Sequence, residues 1–159
     1  MKEPEIDWSK LPFSYIKTDY NVRCTYKDGA WGDIEVSDSE YIPMHIAASA
    51  LHYGQEAFEG LKAFRGKDGK IRVFRMDENA KRFIKSAEGV KMQPLPEEIF
   101  CEMVRKVVKL NERFIPPYGT GASLYIRPLM IGMTPRVGVS PATEYTVIIL
   151  VTPVGPYFK

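Results

Sequence analysis

Apolar positions along this chain follow the period of β-strands, then that of α-helices, and then that of strands again. The first part predicts two hairpins. One lies within 21–36 and turns at Lys27-Asp28-Gly29, because Asp-Gly supplies the positive φ of tight hairpin turns. The other joins 61–65 to 71–75 through the glycine-bounded turn 66–69.

Two amphipathic helices are predicted after the hairpins. Asp77 is the predicted N-cap of the first helix, and Gly89 is predicted to end it. The second begins near 96–98, where a proline and two glutamates suit a first turn. The apolar stripes are Ala80, Phe83, Ile84 and Ala87 in the first helix, and Ile99, Phe100, Met103, Val104, Val107 and Val108 in the second.

Two strands, at 123–131 and 145–152, close the pattern and flank the loop 132–143. This order predicts an α+β domain, with a mainly antiparallel sheet and two principal helices packed on it. We expect one domain over 1–152, with residues 1–12 as an arm across its body. The Pro/Gly stretch 153–159 has the composition of the start of an inter-domain linker.

Composition argues against a nucleic-acid-binding, a disulfide-rich and a membrane-spanning protein, but it does not identify the function. The chain has 159 residues, 45% of them apolar, and its net charge of +2 gives no argument for nucleic acid or an acidic membrane surface. Its two cysteines, Cys24 and Cys101, are too few for a disulfide framework, which favours reduced thiols in a cytoplasmic protein. The longest apolar run, 147–151, is too short for a membrane span, and the N-terminus lacks a signal-peptide pattern.

The sequence lacks several common motifs of catalytic and binding sites. No GxGxxG, GxxxxGK[ST], HExxH or GxSxG pattern occurs. His45 and His52 are the only histidines, and neither has a carboxylate at ligand spacing, so we predict no metal site.

Three stretches still suggest chemistry, each beside a plainer interpretation. The aromatic, glycine-bounded stretch 51–60 suits a binding wall or a core turn. Arg82, close in sequence to Arg72 and Arg75, suits phosphate recognition or a solvated helix face. In 123–128, strand alternation puts Tyr125 beside Arg127, which suits a carboxylate-binding corner or a half-exposed strand face.

Taken together, these motifs resemble one family. The chain carries Tyr53-Gly54-x3-Phe58-Glu59-Gly60-x-Lys62-Ala63-Phe64, then Phe74-Arg75-x6-Arg82, Ser123-Leu124-Tyr125-Ile126-Arg127-Pro128, Gly138-Val139 and Pro153-Val154-Gly155-x-Tyr157. In order and spacing this series is similar to the branched-chain aminotransferases, which are fold-type IV pyridoxal-phosphate enzymes. The resemblance spans roughly 13–159 and implies the small domain of the D-amino-acid-aminotransferase-like fold.

The resemblance implies roles for individual residues. Arg82 resembles the arginine that binds the phosphate of pyridoxal 5′-phosphate. Arg127 resembles the arginine that accepts the second carboxylate of glutamate. The remaining implied substrate-binding residues are an aromatic wall of Phe13, Tyr53, Phe58 and Tyr125, a loop with Val137 and Val139 that reaches the neighbouring subunit, and the linker residue Tyr157. These roles imply amino acids and 2-oxo acids as substrates and a homodimer as the assembly.

No residue of the chain resembles the family's Schiff-base lysine, which lies in a Lys-x-Gly-Gly-Asn-type motif absent from these 159 residues. The acidic partner of the pyridine nitrogen is absent too. Lys62 occupies a position where the family carries Lys or Arg, which argues against it as a substitute. We therefore expect an N-terminal small domain that is inactive alone, from a transaminase that acts on leucine, isoleucine and valine.

Two alternatives remain open at this point. One is another fold-type IV enzyme, such as a D-amino-acid transaminase or an aminodeoxychorismate lyase. Tyr125-x-Arg127-Pro128 and the aromatic wall speak against it. The other is a non-catalytic binding or dimerisation module with the same small domain.

Overall fold

The computed structural model describes residues 4–157, which form eight strands, three α-helices and one 3-10 helix. The strands are β1 (Asn21–Lys27), β2 (Ala30–Trp31), β3 (Glu35–Ser37), β4 (Glu56–Phe58), β5 (Leu61–Arg65), β6 (Ile71–Val73), β7 (Ser123–Gly132) and β8 (Tyr145–Val154). The helices are α1 (Ser49–Tyr53), α2 (Met76–Gly89) and α3 (Glu97–Leu110), and the 3-10 helix Glu112–Phe114 follows α3. No helix within residues 4–157 combines the length and the apolar character that crossing a bilayer requires.

The strands pair antiparallel in one sheet. Its order is β2-β1-β8-β7-β5-β6, with β3 paired to β1 and β4 paired to β7. The longest ladder joins β7 to β8, from Ser123 opposite Val154 to Gly132 opposite Tyr145. The predicted α+β fold, a mainly antiparallel sheet with two principal helices, is confirmed.

The core lies between one face of this sheet and helices α2 and α3. Met103, Val104 and Val107 of α3 are completely buried, as the apolar stripe predicts. The rings of Phe83 and Phe100 meet between the two helices, with centroids 5.6 Å apart. The strands contribute Val22, Leu124, Ile126, Met130, Val147, Ile149 and Val151. Each fully buried side chain of this size stabilises the fold by about 1.5–3 kcal/mol.

Both cysteines are part of this core. Cys24 and Cys101 are free and buried. Burial, helped by the nearby Asp33 and Glu35 carboxylates, raises the pKa of Cys24 to about 11. This thiol therefore stays protonated at neutral pH and packs as a small hydrophobic side chain.

The hairpins confirm the predicted turns. Asp28 and Gly29 have φ of 52° and 83°, the conformation that an Asp-Gly hairpin turn requires. The second turn closes with the Gly66 amide on the Lys70 carbonyl, at 2.8 Å. β8 extends past the predicted end at Thr152 to Val154, and its last two residues still pair with β7.

Two helix starts differ from the predictions. Asp77 is not the N-cap of α2, because the helix begins at Met76 and is preceded by Arg75 in the left-handed conformation, with φ of 47°. Asp77 lies inside the first turn, where the helix dipole favours a carboxylate. β6 ends at Val73, two residues before the predicted end of the strand. Pro96 is the N-cap of α3, where the prediction had it in the first turn.

The segment before β1 is tied to the body through two polar side chains. Thr152 Oγ1 accepts from the Ile16 amide at 2.8 Å and donates to the Ile16 carbonyl at 3.1 Å. Asn111, which is completely buried, accepts from the amides of Asp19 and Tyr20 at 3.0 Å each. Within the predicted arm, Ile6 packs against the core and the Pro12 carbonyl accepts from the Gly155 amide at 3.3 Å, so this crossing segment lies across the body; residues 1–3 lie outside the described residues.

We expect Asn111→Ala to lower the free energy of unfolding by about 2–3 kcal/mol, because it leaves the Asp19 and Tyr20 amides without their acceptor. Urea unfolding of the chain measures this change. Lys109→Ala, at an exposed position in the last turn of α3, is the control and is expected to stay within about 0.5 kcal/mol of the parent. Equal stability of the two variants would contradict the assigned role of Asn111.

Candidate functional site

Aromatic and basic side chains gather on the face of β7 that points away from the helices. Leu124 and Ile126 are buried in the core, so strand alternation directs Tyr125 and Arg127 to the opposite face. Arg127 donates to the Tyr125 hydroxyl from Nε and Nη2, at 3.3 and 3.1 Å. Its guanidinium also lies over the Phe58 ring, 4.7 Å from the centroid. A cation is thereby held against two aromatic faces.

Phe13 and Tyr157 extend this group from the two ends of the chain. The Phe13 ring meets Tyr125 edge to face at 5.3 Å and Tyr157 at 5.0 Å between centroids. The crossing segment comes this close because residue 155 is glycine: a Cβ on Gly155 would overlap the Leu11 carbonyl oxygen. Four predicted site residues, Phe13, Tyr125, Arg127 and Tyr157, are thus joined by direct contacts.

A small cavity of about 220 Å³ opens between these side chains and β8. Its lining residues are Phe13, Ser14, Tyr15, Tyr125, Arg127, Leu150, Thr152 and Val154. Leu150 and Thr152 were not predicted as site residues. The antiparallel register, which sets Leu150 opposite Arg127 and Thr152 opposite Tyr125, is the signal that could have identified them.

Arg82 lies on the exposed face of α2 and binds a buried carboxylate. Its Nε donates to Glu59 Oε1 at 2.5 Å and its Nη2 donates to Oε2 at 2.8 Å. The Glu59 side chain is only 2% exposed, whereas that of Arg82 is 67% exposed. Glu59 also accepts from Asn79 Nδ2 at 2.9 Å and from the Gly60 amide at 3.3 Å.

The hydrogen bonds control the charge of Glu59. Burial acts to raise the pKa of this carboxyl group, but the bonds from Arg82 and Asn79 and the arginine's charge lower it by more. The net pKa lies below the ordinary value, so Glu59 is ionised at neutral pH. The same carboxylate raises the pKa of Arg82.

Glu59 and Gly60 connect the arginine on α2 to the aromatic group. Strands β4 and β5 both pair with β7 in one continuous register, with Phe58 opposite Leu129 and Leu61 opposite Ile126. The ladder is interrupted between them, opposite Pro128, which has no amide hydrogen to donate. The Glu59 amide still donates to the Pro128 carbonyl at 2.9 Å.

Gly60 is required at this interruption because its neighbour on β7 lies against it. A Cβ there would overlap the Tyr125 hydroxyl and lie 3.1 Å from Cζ of the ring. The two residues of the interruption therefore serve different groups. Glu59 holds Arg82, and Gly60 leaves space for Tyr125.

Tyr53, Val137 and Val139 form a separate group. The Tyr53 hydroxyl donates to the Val137 carbonyl, and both valines are highly exposed, at 78% and 85%. Gln55 helps to hold the same loop, because its Oε1 accepts from the Ala142 amide at 3.0 Å. Tyr53 was predicted in one wall with Phe13 and Tyr125, but the ring contacts of those two residues do not include it.

The other basic residues that the sequence analysis considered, Lys62, Arg75 and Arg72, lie in three different places. Lys62 stands opposite Tyr125 in the ladder, which places both side chains on one face of the sheet. Arg75 shares a groove with Arg82. Arg72 does not line that groove, since both its Nη atoms bind Asp68, at 2.8 and 2.7 Å.

The two histidines make local contacts. His45 Nδ1 accepts from the Ala47 amide at 3.0 Å, and His52 Nε2 lies 2.8 Å from the Ile46 carbonyl. Across residues 4–157, no three or more His, Cys, Asp or Glu side chains are placed to hold a metal ion.

Curated relatives match almost the whole chain. A branched-chain-amino-acid aminotransferase of Haemophilus influenzae is 44% identical over 155 residues, which is 98% of this chain and 45% of that protein. One of Helicobacter pylori is 46% identical over 154 residues, 97% of this chain and 45% of that protein. A chloroplastic one of Arabidopsis thaliana is 46% identical over 157 residues, 98% of this chain and 37% of that protein. The chain thus spans less than half the length of these relatives.

Solved structures agree with this match. The branched-chain aminotransferase of Thermoproteus uzoniensis, solved with norvaline, gives a TM-score of 0.65 at 26% identity over 87% of this chain and 43% of that one. The branched-chain amino acid aminotransferase of Escherichia coli gives 0.63 at 29% identity over 90% of this chain and 42% of that one. Another branched-chain aminotransferase, solved with pyridoxamine 5′-phosphate, gives 0.63 at 28% identity over 91% of this chain and 43% of that one. No family model matches the chain. The resemblance seen in the motifs is confirmed.

We expect Gly60→Ala to displace the Tyr125 ring, because the new methyl group would overlap its hydroxyl. The tilted ring would release Arg127, at a cost of about 1–3 kcal/mol in the free energy of unfolding. A crystal structure of the variant measures the ring position. Gly89→Ala is the control, since a Cβ there meets nothing within 4 Å. An unmoved Tyr125 in Gly60→Ala would contradict this packing.

Proposed function

Because this chain is homologous to the N-terminal portion of the branched-chain-amino-acid aminotransferases, we propose that it forms one domain of a pyridoxal-phosphate-dependent transaminase. The intact protein transfers the amino group of leucine, isoleucine or valine to 2-oxoglutarate and yields glutamate and a branched 2-oxo acid. The observation that carries this proposal is the adjacency of Glu59, which binds Arg82, and Gly60, which packs against Tyr125 of the aromatic cavity.

The cavity must accept two unlike kinds of substrate. Leucine, isoleucine and valine present only apolar surface beyond the α-carbon, whereas glutamate presents a second carboxylate. Phe13 and Tyr125 offer an apolar wall for the first kind. Arg127 offers a planar fork for the second, and its contact with Phe58 keeps that charge at the margin of the wall.

The arginine on α2 suits the phosphate of the cofactor. One edge of the Arg82 guanidinium is fixed on Glu59, while the side chain remains largely exposed, and a guanidinium fork matches phosphate oxygens. Pyridoxal 5′-phosphate, when bound, supplies the electron-accepting ring that amino transfer requires. Arg82 anchors the group and takes no part in making or breaking bonds.

The rest of the active site is proposed to come from residues outside this chain. The curated relatives are more than twice as long as the part that the chain matches. The lysine that holds the cofactor belongs to a Lys-x-Gly-Gly-Asn-type motif, which these 159 residues do not contain. In this proposal, residues 1–152 form the small domain, its last strand continues to Val154, and the residues after it begin the connection to the lysine-bearing domain.

The assembly proposed for the intact protein is a homodimer in the cytoplasm. Support for the dimer comes from the surface around Tyr53, where Ile46, Leu51, Val137 and Val139 are all more than half exposed. This surface is held in shape by backbone contacts, such as the Arg136 amide on the Ala47 carbonyl at 2.9 Å. Val137 and Val139 then reach towards the substrate cavity of the second subunit.

We expect the purified intact protein to form glutamate from 2-oxoglutarate with leucine, isoleucine or valine as donor. Its kcat/KM for these donors should exceed that for D-alanine by about tenfold or more, because the apolar wall favours the larger side chains. A coupled glutamate assay measures both. The isolated 159-residue chain is expected to show no leucine-dependent glutamate formation.

Three outcomes, measured as glutamate or pyruvate formation, would contradict the proposal. A preference for D-alanine would indicate a D-amino-acid transaminase. Release of pyruvate from aminodeoxychorismate, with no transamination, would indicate a lyase of the same fold. Full activity of the isolated chain would show that no residue outside it is needed.

We expect Val139→Asp to weaken the dimer of the intact protein by about tenfold or more, because a buried, unpaired carboxylate would replace an apolar contact. Light scattering across a dilution series measures the dissociation constant. Tyr118→Asp is the control, since Tyr118 is also exposed, at 64%, but lies outside the surface around Tyr53. A dimer equally strong in both variants would contradict this interface.

A further inference from the structure

Glu59 is the only buried charged side chain among residues 4–157. Taking a carboxylate out of water is unfavourable unless charged and hydrogen-bonding partners replace the water. Here both oxygens are satisfied by donors from Arg82, Asn79 and the Gly60 amide. These bonds attach Arg82 of α2 to the sheet at Glu59, between β4 and β5.

The bonds to Glu59 use only one edge of the Arg82 guanidinium. Of its five N–H groups, the one on Nε and one on Nη2 point to the carboxylate. Nη1 and the second Nη2 hydrogen have no partner among the described residues. The side chain is 67% exposed, so this second edge faces open space.

The open edge faces a groove that is positively charged overall. The groove on the outer face of α2 has a volume of about 760 Å³. Its charged lining residues are Arg75, Lys81, Arg82 and Lys85 against Glu78 and Glu88. The excess of basic residues persists when Glu59 is counted with them, so an anion is favoured here.

Because one edge of the Arg82 guanidinium is already fixed, the side chain loses less conformational freedom when it binds an anion. A free arginine side chain must give up several rotatable bonds when it binds, which weakens binding. Arg82 has already lost that freedom, because two parallel bonds hold the plane of its guanidinium. The carboxylate also polarises the guanidinium from behind.

We propose that Glu59 is a positioning residue: it holds Arg82 so that the open edge of the guanidinium receives the phosphate of the cofactor. The inference rests on the proposed function, in which Arg82 anchors that phosphate. It adds a role for the Glu of the Phe58-Glu59-Gly60 stretch. A structural clamp between α2 and the sheet would use the same bonds, but it would not discriminate between phosphorylated and unphosphorylated ligands.

The test measures that discrimination by binding. The apo form of the intact protein is titrated with pyridoxamine 5′-phosphate and with pyridoxamine, which differ only in the phosphate. Neither ligand has an aldehyde, so neither forms a covalent bond with a lysine. The dissociation constant of pyridoxamine divided by that of pyridoxamine 5′-phosphate reports the phosphate contact alone. A weaker phosphate contact lowers this ratio, which is measured without turnover.

We expect Glu59→Gln to weaken pyridoxamine 5′-phosphate about tenfold and pyridoxamine by less than about twofold. The amide keeps the shape of the side chain but loses one acceptor oxygen and the charge. Glu59→Asp, whose carboxylate is one methylene short of Arg82, is the second variant and is expected to weaken the phosphate ligand selectively too. Glu78→Gln removes a carboxylate of the same groove that does not bind Arg82, so it is the matched control and is expected not to weaken pyridoxamine 5′-phosphate.

Arg82→Gln separates this inference from the proposed function. If it leaves the ratio unchanged, Arg82 is not the anchor, and both the anchor and the inference are overturned. If it lowers the ratio while Glu59→Gln and Glu59→Asp do not, only the inference is overturned. An equal loss of both ligands in the Glu59 variants assigns Glu59 a purely structural role and overturns it as well.

Discussion

The ion pair between Glu59 and Arg82 is the interaction that joins the fold of this chain to its candidate site. Its carboxylate lies inside the protein and its guanidinium lies at the surface. Breaking a buried pair of this kind is far more costly than breaking one in water, because the remaining carboxylate loses its compensation. The position of α2 against the sheet and the direction of Arg82 therefore depend on the same bonds.

Pro128 accounts for the interruption of the sheet beside this pair. This proline lies in the central strand β7 and has no amide hydrogen to donate. The strand pairing opposite it is therefore interrupted at Glu59-Gly60, between β4 and β5. β7 also lies between the hydrophobic core and the candidate site. Its core-facing side chains carry the stability of the domain, and the opposite face presents Tyr125 and Arg127. Stability and binding chemistry are thus assigned to alternate residues of one strand.

Local signals in the sequence predicted most of the fold. The apolar period of α3 and the Asp28-Gly29 turn are set within a few residues, and both are confirmed. The N-cap of α2 was wrong because the left-handed Arg75 starts the helix before Asp77, which propensity alone does not show. Leu150 depends on strand register, and the Glu59–Arg82 pair joins residues far apart in sequence. The ion pair is decided by tertiary packing, for which one sequence by itself carries no direct signal.

A crystal structure of the intact protein with pyridoxamine 5′-phosphate tests the central claim most directly. We predict that Arg82 Nη1 or Nη2 lies about 2.9 Å from a phosphate oxygen, while Nε remains on Glu59. Arg82 would then contact both partners through opposite edges. A phosphate bound away from Arg82, or an arginine that leaves Glu59 to reach the phosphate, would contradict the account.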